Sequence, residues 1–91
     1  MDFEEDFEED VTVALGNRIR KIRLEKGMKM HQVAEGADIS EKYLGSVERG
    51  EVQASYVMVL KIAQGLKINN PDILMKDTFH IHQLYLNKKL K

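Results

Sequence analysis

Apolar residues recur at helical spacing along most of this chain. Leu15, Ile19 and Ile22 lie four and three residues apart, which puts them on one face of a helix whose other faces carry arginines and lysines. Lys26 and Gly27 follow, and a cation and a glycine in this order are typical of a helix C-terminus. The pattern predicts a first amphipathic helix that ends near Gly27.

Three more helices are predicted further along the chain. A short second helix spans residues 30–36, and Ser40 and Ser55 are good N-caps for a third and a fourth helix. The third helix should end at Gly50. The fourth has apolar residues at three- and four-residue spacing, which are Tyr56, Val59, Ala63 and Leu66.

The C-terminal part begins with a clear helix start and then becomes ambiguous. Asn70 and Pro71 predict an N-cap followed by proline at the first helical position, which begins a short fifth helix through Met75. Residues 79–82 alternate between apolar and polar as a strand does. A single helical stripe is nevertheless formed by Phe79, Gln83, Leu86 and Leu90. We favour the helix, and the predicted fold class is all-α.

The segment from Met30 to Arg49 has the pattern of a helix-turn-helix. Two helices that cross steeply need a small residue at the crossing, apolar residues at fixed offsets and a tight turn between them. With Met30 as the first position, the small fifth residue is Ala34 and the ninth, in the turn, is Asp38. The fourth, eighth, tenth, fifteenth and eighteenth residues are all apolar, and they are Val33, Ala37, Ile39, Leu44 and Val47.

Length and composition narrow the class of protein. The chain has 91 residues and no cysteine, which predicts one domain and excludes disulfide frameworks and cysteine-based zinc sites. No apolar run approaches the roughly 18 residues of a membrane span, and the acidic N-terminus is unlike the basic start of a signal peptide. We expect a cytoplasmic protein with no membrane partner.

The sequence lacks a recognisable catalytic constellation. It has no cysteine nucleophile, no glycine-rich phosphate loop and no HExxH motif. His80 and His82 would diverge on a helix, and on a strand they would share a face without a nearby third ligand. We therefore expect no enzymatic activity, no metal and no cofactor.

Charge is distributed unevenly along the chain. Residues 1–10 hold seven of the 15 acidic residues and no base, which leaves eight acids against 14 bases and a net charge of +6 from residue 11 onward. The acidic segment is expected to be a flexible tail, and the alternatives are an extra helical turn or an electrostatic brake on DNA binding. Arg18, Arg20 and Lys21 either contact phosphate or only solvate the first helix. A basic body with an acidic tail is compatible with nucleic-acid binding.

A resemblance to the lambda-repressor/Cro type of helix-turn-helix domain, the XRE family, covers about residues 15–70 and is carried by the segment LGNRIRKIRLEKGMKMHQVAEGADISEKYLGSVERGEVQASYVMVLKIAQGLKI. It implies a five-helix bundle whose third helix enters the DNA major groove, and homodimers on palindromic operators. The chain then divides into an acidic tail over 1–10, a DNA-binding domain over 11–76 and a C-terminal extension over 77–91, which is a candidate dimerisation element.

Several positions depart from the family pattern. Met30 stands where glutamine usually grips the phosphate backbone, and Lys29 stands in place of a Ser/Thr cap. Asp38 replaces the usual turn glycine but is among the residues that tolerate a left-handed conformation. The loop over 51–54 lacks the usual basic residues and proline. These departures leave the fold intact but make phosphate anchoring weaker or differently placed.

The resemblance assigns base reading to the outer face of the third helix. Lys42 can donate to guanine, Ser46 can pair with several bases, and Glu41 either accepts from cytosine or favours the helix N-terminus by its charge. Both Lys42 and Ser46 could instead be ordinary solvent-facing residues. The candidate DNA-binding residues are Ser40, Glu41, Lys42, Ser46, Arg49, Lys29 and Gln53.

Two further assignments concern structure. The resemblance implies an ion pair between Arg23 and Glu48 that ties the first helix to the third. Gly45 lies within the third helix, where it either permits a close approach to DNA or has no role. The fourth helix is apolar nearly all round, more than one core face needs. The candidate dimer interface is therefore Val57, Met58, Leu60, Ile73 and Leu74.

Two classes of function follow. The first is a sequence-specific transcriptional regulator, a repressor or dual regulator, with the controller protein of a restriction-modification system as a close variant. The second is an antitoxin-type module that holds a toxin and binds DNA secondarily, with residues 1–10 or 77–91 as the toxin-binding segment. Double-stranded DNA is the expected partner in both.

Overall fold

The structure is a computed structural model that describes the backbone of residues 3–90 and the side chains of residues 6–89. Over that range the chain forms five helices and no strand, which confirms the all-α prediction. The helices are α1 (Phe3–Glu25), α2 (Met30–Ala37), α3 (Glu41–Glu48), α4 (Tyr56–Gly65) and α5 (Asp72–Leu90).

Most helix boundaries lie at the residues that the capping pattern indicates. The Ser40 hydroxyl accepts from the Tyr43 amide at 3.0 Å, and the Ser55 hydroxyl accepts from the Met58 amide at 3.2 Å. These side chains satisfy amide groups that have no partner within the first turn of a helix. Asp38 adopts the left-handed conformation, with φ of 56°, and so ends α2 without a glycine.

The core lies where α1, α2, α3 and α4 meet, and α5 covers one side of α1. The large side chains that are fully buried in this core are Ile19, Val33, Leu44, Val47, Ile62, Leu66 and Leu74. Two glycines allow the helices to approach closely. A Cβ at Gly16 would collide with the carbonyl oxygen of Val47, and one at Gly65 would collide with that of Val33. Alanine at either position would push two helices apart.

The acidic segment is not a separate tail where the structure describes it. Residues 3–10 continue α1, so the flexible tail expected over 1–10 is corrected for these residues, while residues 1 and 2 lie outside the described part. The Phe7 ring packs edge-on against Tyr85, with 5.3 Å between ring centroids, and the Tyr85 hydroxyl donates to Asp10 at 2.6 Å. Contacts with α5 thus hold this segment in place.

The C-terminal part differs from the prediction in a related way. The short fifth helix and the extension from residue 77 are one continuous helix, α5, so the helical alternative is right and the end at Met75 is wrong. Leu74 is fully buried in the core of one chain, which removes it from the candidate dimer interface. Among the described helices, none combines the length and apolar character needed to span a membrane.

Candidate nucleic-acid interface

The outer face of α3 carries an exposed polar stripe. Lys42, Ser46 and Arg49 are four and three residues apart, so they lie along one side of the helix. Leu44 and Val47 on the opposite side are fully buried. Lys42 and Arg49 are exposed and Ser46 is half-buried. The helix therefore presents three hydrogen-bonding side chains in a row. The buried contacts of Leu44 and Val47 on the opposite face fix the direction in which these side chains point.

The remaining predicted contact residues surround this stripe. Ser40 caps α3, and Glu41 is exposed in its first turn. Lys29 is exposed just before α2, where its backbone amide donates to the Gln32 side chain at 2.8 Å. Gln53 is exposed in the loop between α3 and α4, and its side-chain amide lies 3.4 Å from a Glu8 carboxylate oxygen.

A buried ion pair anchors α3 to α1. Arg23 Nε donates to Glu48 Oε2 at 2.8 Å, and Arg23 Nη2 donates to Glu48 Oε1 at 3.0 Å. Arg23 also donates to the Met28 carbonyl at 3.2 Å. The hydrogen bonds to Glu48 raise the pKa of Arg23 above its usual value, against the opposing effect of burial. Two parallel bonds at a buried site fix orientation as well as distance.

A second arginine pair lies on the surface at the end of α3. Arg49 donates to both carboxylate oxygens of Glu51 at 3.1 Å, and the two side chains are 60% and 55% exposed. The hydrogen bond from Arg49 lowers the pKa of Glu51 below its usual value. In the protein alone, the guanidinium group of Arg49 is therefore already engaged by a carboxylate.

A groove beside α3 was not identified from the sequence. Arg20 and Asn17 of α1 line it on one side, and Met30 lines it from the start of α2. Gly45 and Arg49 form the α3 side. No spacing rule links these positions, because they come from three helices. The only signal in the sequence was a glycine within α3 and an unusual methionine at the first motif position.

The predicted dimer-interface residues have different environments. Val57, Leu60 and Ile73 are exposed, Met58 is half-buried, and Leu74 belongs to the core. Leu60 and Pro71 line one surface depression, which places the exposed edge of α4 beside the start of α5. The described residues include no group of three or more His, Cys, Asp or Glu side chains arranged to hold a metal ion. The imidazole of His82 instead packs 6.0 Å from the Phe7 ring.

A helix-turn-helix family model (HTH_3) matches residues 19–72. Control protein C.MunI of a Mycoplasma species is 33% identical over 60 residues, which cover 65% of this chain and 81% of that protein. The structure of the restriction-modification controller protein C.AhdI from Aeromonas hydrophila is similar, with 36% identity, a TM-score of 0.66, and coverage of 69% of this chain and 94% of that one.

The clp gene regulator ClgR from Corynebacterium glutamicum is also similar in structure, with 29% identity and a TM-score of 0.65. The aligned region covers 71% of this chain and 84% of that one. The segment that the family model matches contains α2, α3 and α4 and the ion pair that seats α3. This chain belongs to the XRE-type helix-turn-helix family of DNA-binding transcriptional regulators.

Proposed function

We propose that this protein is a homodimeric regulator that binds a palindromic operator sequence-specifically, as a controller of restriction-modification genes. Similarity to C.MunI and C.AhdI, a control protein and a restriction-modification controller protein, supports the choice within the family. The observation that carries the proposal is the polar stripe of Lys42, Ser46 and Arg49 on a helix held by a buried ion pair.

Lys42 and Ser46 are the proposed readers of base edges. A lysine in the major groove donates to guanine O6 and N7, and a serine hydroxyl both donates and accepts. Ser40, Glu41, Lys29 and Gln53 lie at the edges of the same surface and are the proposed flanking contacts. Arg23 and Glu48 are proposed to act on structure alone, because their side chains are satisfied by each other.

A dimer is proposed because one recognition helix reads only half of a palindrome. Two-fold related helix-turn-helix units read half-sites whose centres are about 10–10.5 base pairs apart, or a multiple of that. Val57 and Leu60 on α4 and Ile73 on α5 are exposed apolar residues, and Leu60 shares a surface depression with Pro71 just before α5, which supports this surface as the subunit contact. Leu60→Glu should yield a monomer in sedimentation experiments, and a wild-type protein that stays monomeric at tens of micromolar would contradict the dimer.

Selection of bound sequences from a random duplex pool tests the proposal. The expected product is an inverted repeat with half-site spacing of about one helical turn or a multiple of it. Failure to enrich any sequence would reject sequence-specific regulation and would favour the antitoxin-type alternative. The neighbouring reading frame separates the same alternatives independently, since an endonuclease or methyltransferase gene and a toxin gene predict different roles.

A further inference from the structure

The groove between α1, α2 and α3 carries arginines on two opposite sides. Arg20 extends from α1, and Arg49 extends from the end of α3. The paired Arg23 and Glu48 side chains also line the groove. Because Glu48 is already bound by Arg23 through two hydrogen bonds, its charge is compensated within the pair. The remaining cations at the groove are the two exposed guanidinium groups, and Glu51 is the acid bound to one of them.

Gly45 leaves room for the Arg49 side chain to lie close to α3. A Cβ at this position would be 3.0 Å from Arg49 Nη1 and 3.4 Å from the Met30 terminal methyl. With glycine there, the guanidinium group rests against the backbone of α3 instead of standing away from it. One role considered for Gly45 was to permit a close approach to DNA. In the protein alone, the space beside Gly45 is occupied by the Arg49 side chain.

The position of the groove relative to the reading face indicates its ligand. In a helix-turn-helix bound to DNA, the second helix of the motif lies in the major groove while the first crosses the phosphate backbone. The first helix of the motif is α2, and Met30 at its start has no hydrogen-bond donor in its side chain. The donors beside it are the guanidinium groups of Arg20 and Arg49 and the amide of Asn17.

We propose that Arg20 and Arg49 clamp one backbone phosphate of the operator, with the Asn17 amide as a further donor. The proposal rests on the proposed function, because the phosphate is reached only when α3 lies in the major groove. Guanidinium groups bind phosphate oxygens through paired hydrogen bonds, which a methionine at the usual anchor position does not provide. Arg20 makes no ion pair within the part of the chain that the structure describes, so it is available for this contact.

Glu51 holds Arg49 until the phosphate replaces it. Both partners of that pair are more than half exposed, and exposed ion pairs are weak enough to exchange readily. The exchange substitutes one anion for another at the same guanidinium group. Glu51 therefore weakens binding to every duplex, specific or not, without affecting which bases are read.

Arg20→Gln measured against Lys21→Gln tests the clamp. Lys21 lies next to Arg20 on α1 but does not line the groove, and its charge acts on Asp77 on the α5 side. Arg20→Gln should weaken binding to the selected operator and to an unrelated duplex by the same factor, and Arg20→Lys should recover part of it. The slope of log affinity against log salt should become shallower by about 0.9 for each phosphate that the protein no longer neutralises. Equal affinities and slopes for Arg20→Gln and Lys21→Gln would overturn the clamp.

The role of Glu51 is tested by a double-mutant cycle. Glu51→Gln should tighten binding to both duplexes, and the gain should disappear when Arg49 is also changed to Gln. A gain that persists without Arg49 would show a general charge effect and would overturn the exchange. Lys42→Ala separates these failures from failure of the proposed function. If Lys42→Ala loses sequence preference while Arg20→Gln binds with the same affinity and salt dependence as Lys21→Gln, only the clamp is wrong. If neither the wild type nor any variant prefers one DNA sequence over another, the proposed function is wrong.

Discussion

Among the side chains that the structure describes, two ion pairs join α1 to other helices, and they differ mainly in burial. Arg23 and Glu48 connect α1 to α3 with side chains that are 11% and 5% exposed. Arg18 and Asp77 connect α1 to α5 with side chains that are 19% and 50% exposed. The nitrogen–oxygen distances are similar, 2.8 Å and 3.0 Å, so distance alone does not distinguish them.

The buried pair fixes α3, the reading helix, against α1, whereas the more exposed pair joins α1 to α5, which together form the outer helical pair. Residues 19–72, which match the family model, include both partners of the buried pair and neither Arg18 nor Asp77. Removal of one partner from a buried pair leaves an uncompensated charge, whereas water readily solvates a charge at an exposed position. Unequal costs of mutation are therefore expected in the two regions.

The largest effect is expected from Glu48→Ala. This change leaves the Arg23 guanidinium group buried without its carboxylate, which should lower the free energy of unfolding by about 3–5 kcal/mol. Thermal and urea unfolding measure the difference. Arg23→Met added to Glu48→Ala should restore part of the stability, because it removes the unpaired charge. An unchanged melting temperature in Glu48→Ala would contradict the structural role of the pair.

Gly65→Ala should destabilise the same region by a different mechanism. Its Cβ would collide with the Val33 carbonyl and lie 3.0 Å from the Ala37 Cβ, so α2 and α4 would have to separate. Overpacking of this kind typically costs about 1–3 kcal/mol. Gly45→Ala is the matched control, since its nearest neighbours are the flexible ends of Arg49 and Met30. Equal melting temperatures for the two variants would contradict the close approach of α2 and α4.

Asp77→Asn should have a small effect. Asp77 is half exposed and Arg18 is 19% exposed, so water screens this pair in part, and its loss should cost less than the loss of the buried Arg23–Glu48 pair. Hydrogen bonding from Arg18 lowers the pKa of Asp77 below its usual value. The contribution is therefore present above the ordinary pKa of an aspartate and is lost as the pH falls through the lowered value. Acid unfolding curves of wild type and Asp77→Asn should converge at low pH; a constant difference down to full protonation would contradict this assignment.

The smallest effect on stability is expected from Tyr85→Phe, which removes a hydrogen bond within the outer helical pair of α1 and α5. Its hydrogen bond to Asp10 raises the pKa of Tyr85 to about 12. The stabilisation is present below the ordinary tyrosine pKa of about 10 and is lost as the pH rises through the raised value. Subtracting the absorbance titration of Tyr85→Phe from that of wild type isolates this phenol. A phenol already ionised at its ordinary pKa would contradict the contact between α1 and α5.

The sequence was most informative where structure depends on neighbouring residues. Ser40, Ser55 and Asp38 act within one helical turn, and each is at the helix boundary that the sequence predicts. The motif spacing from Met30 to Arg49 is equally local. Such features leave a signature in spacing alone, so the fold class and the family could be recognised from the sequence.

The outer helical pair was predicted least well because its contacts are distant in sequence. Phe7 and Tyr85 stabilise each other's helices, and an acidic segment viewed by itself has the composition of a flexible tail. The burial of Leu74 likewise depends on which face of α5 meets α1. For the candidate site, the reading stripe follows from helical periodicity, whereas the groove with Arg20, Met30 and Arg49 requires three helices to be placed together.

The specificity ratio of the Lys42→Ala, Ser46→Ala double variant tests the central proposal most directly, namely that α3 reads base sequence. The ratio is the affinity for the selected operator divided by the affinity for an unrelated duplex at the same salt concentration. Removing each base-reading side chain should cost on the order of 1–3 kcal/mol on the operator and nearly nothing on the unrelated duplex. The double variant should therefore bind both duplexes with similar affinity. A specificity ratio equal to that of wild type would contradict the assignment of α3 as the reading helix.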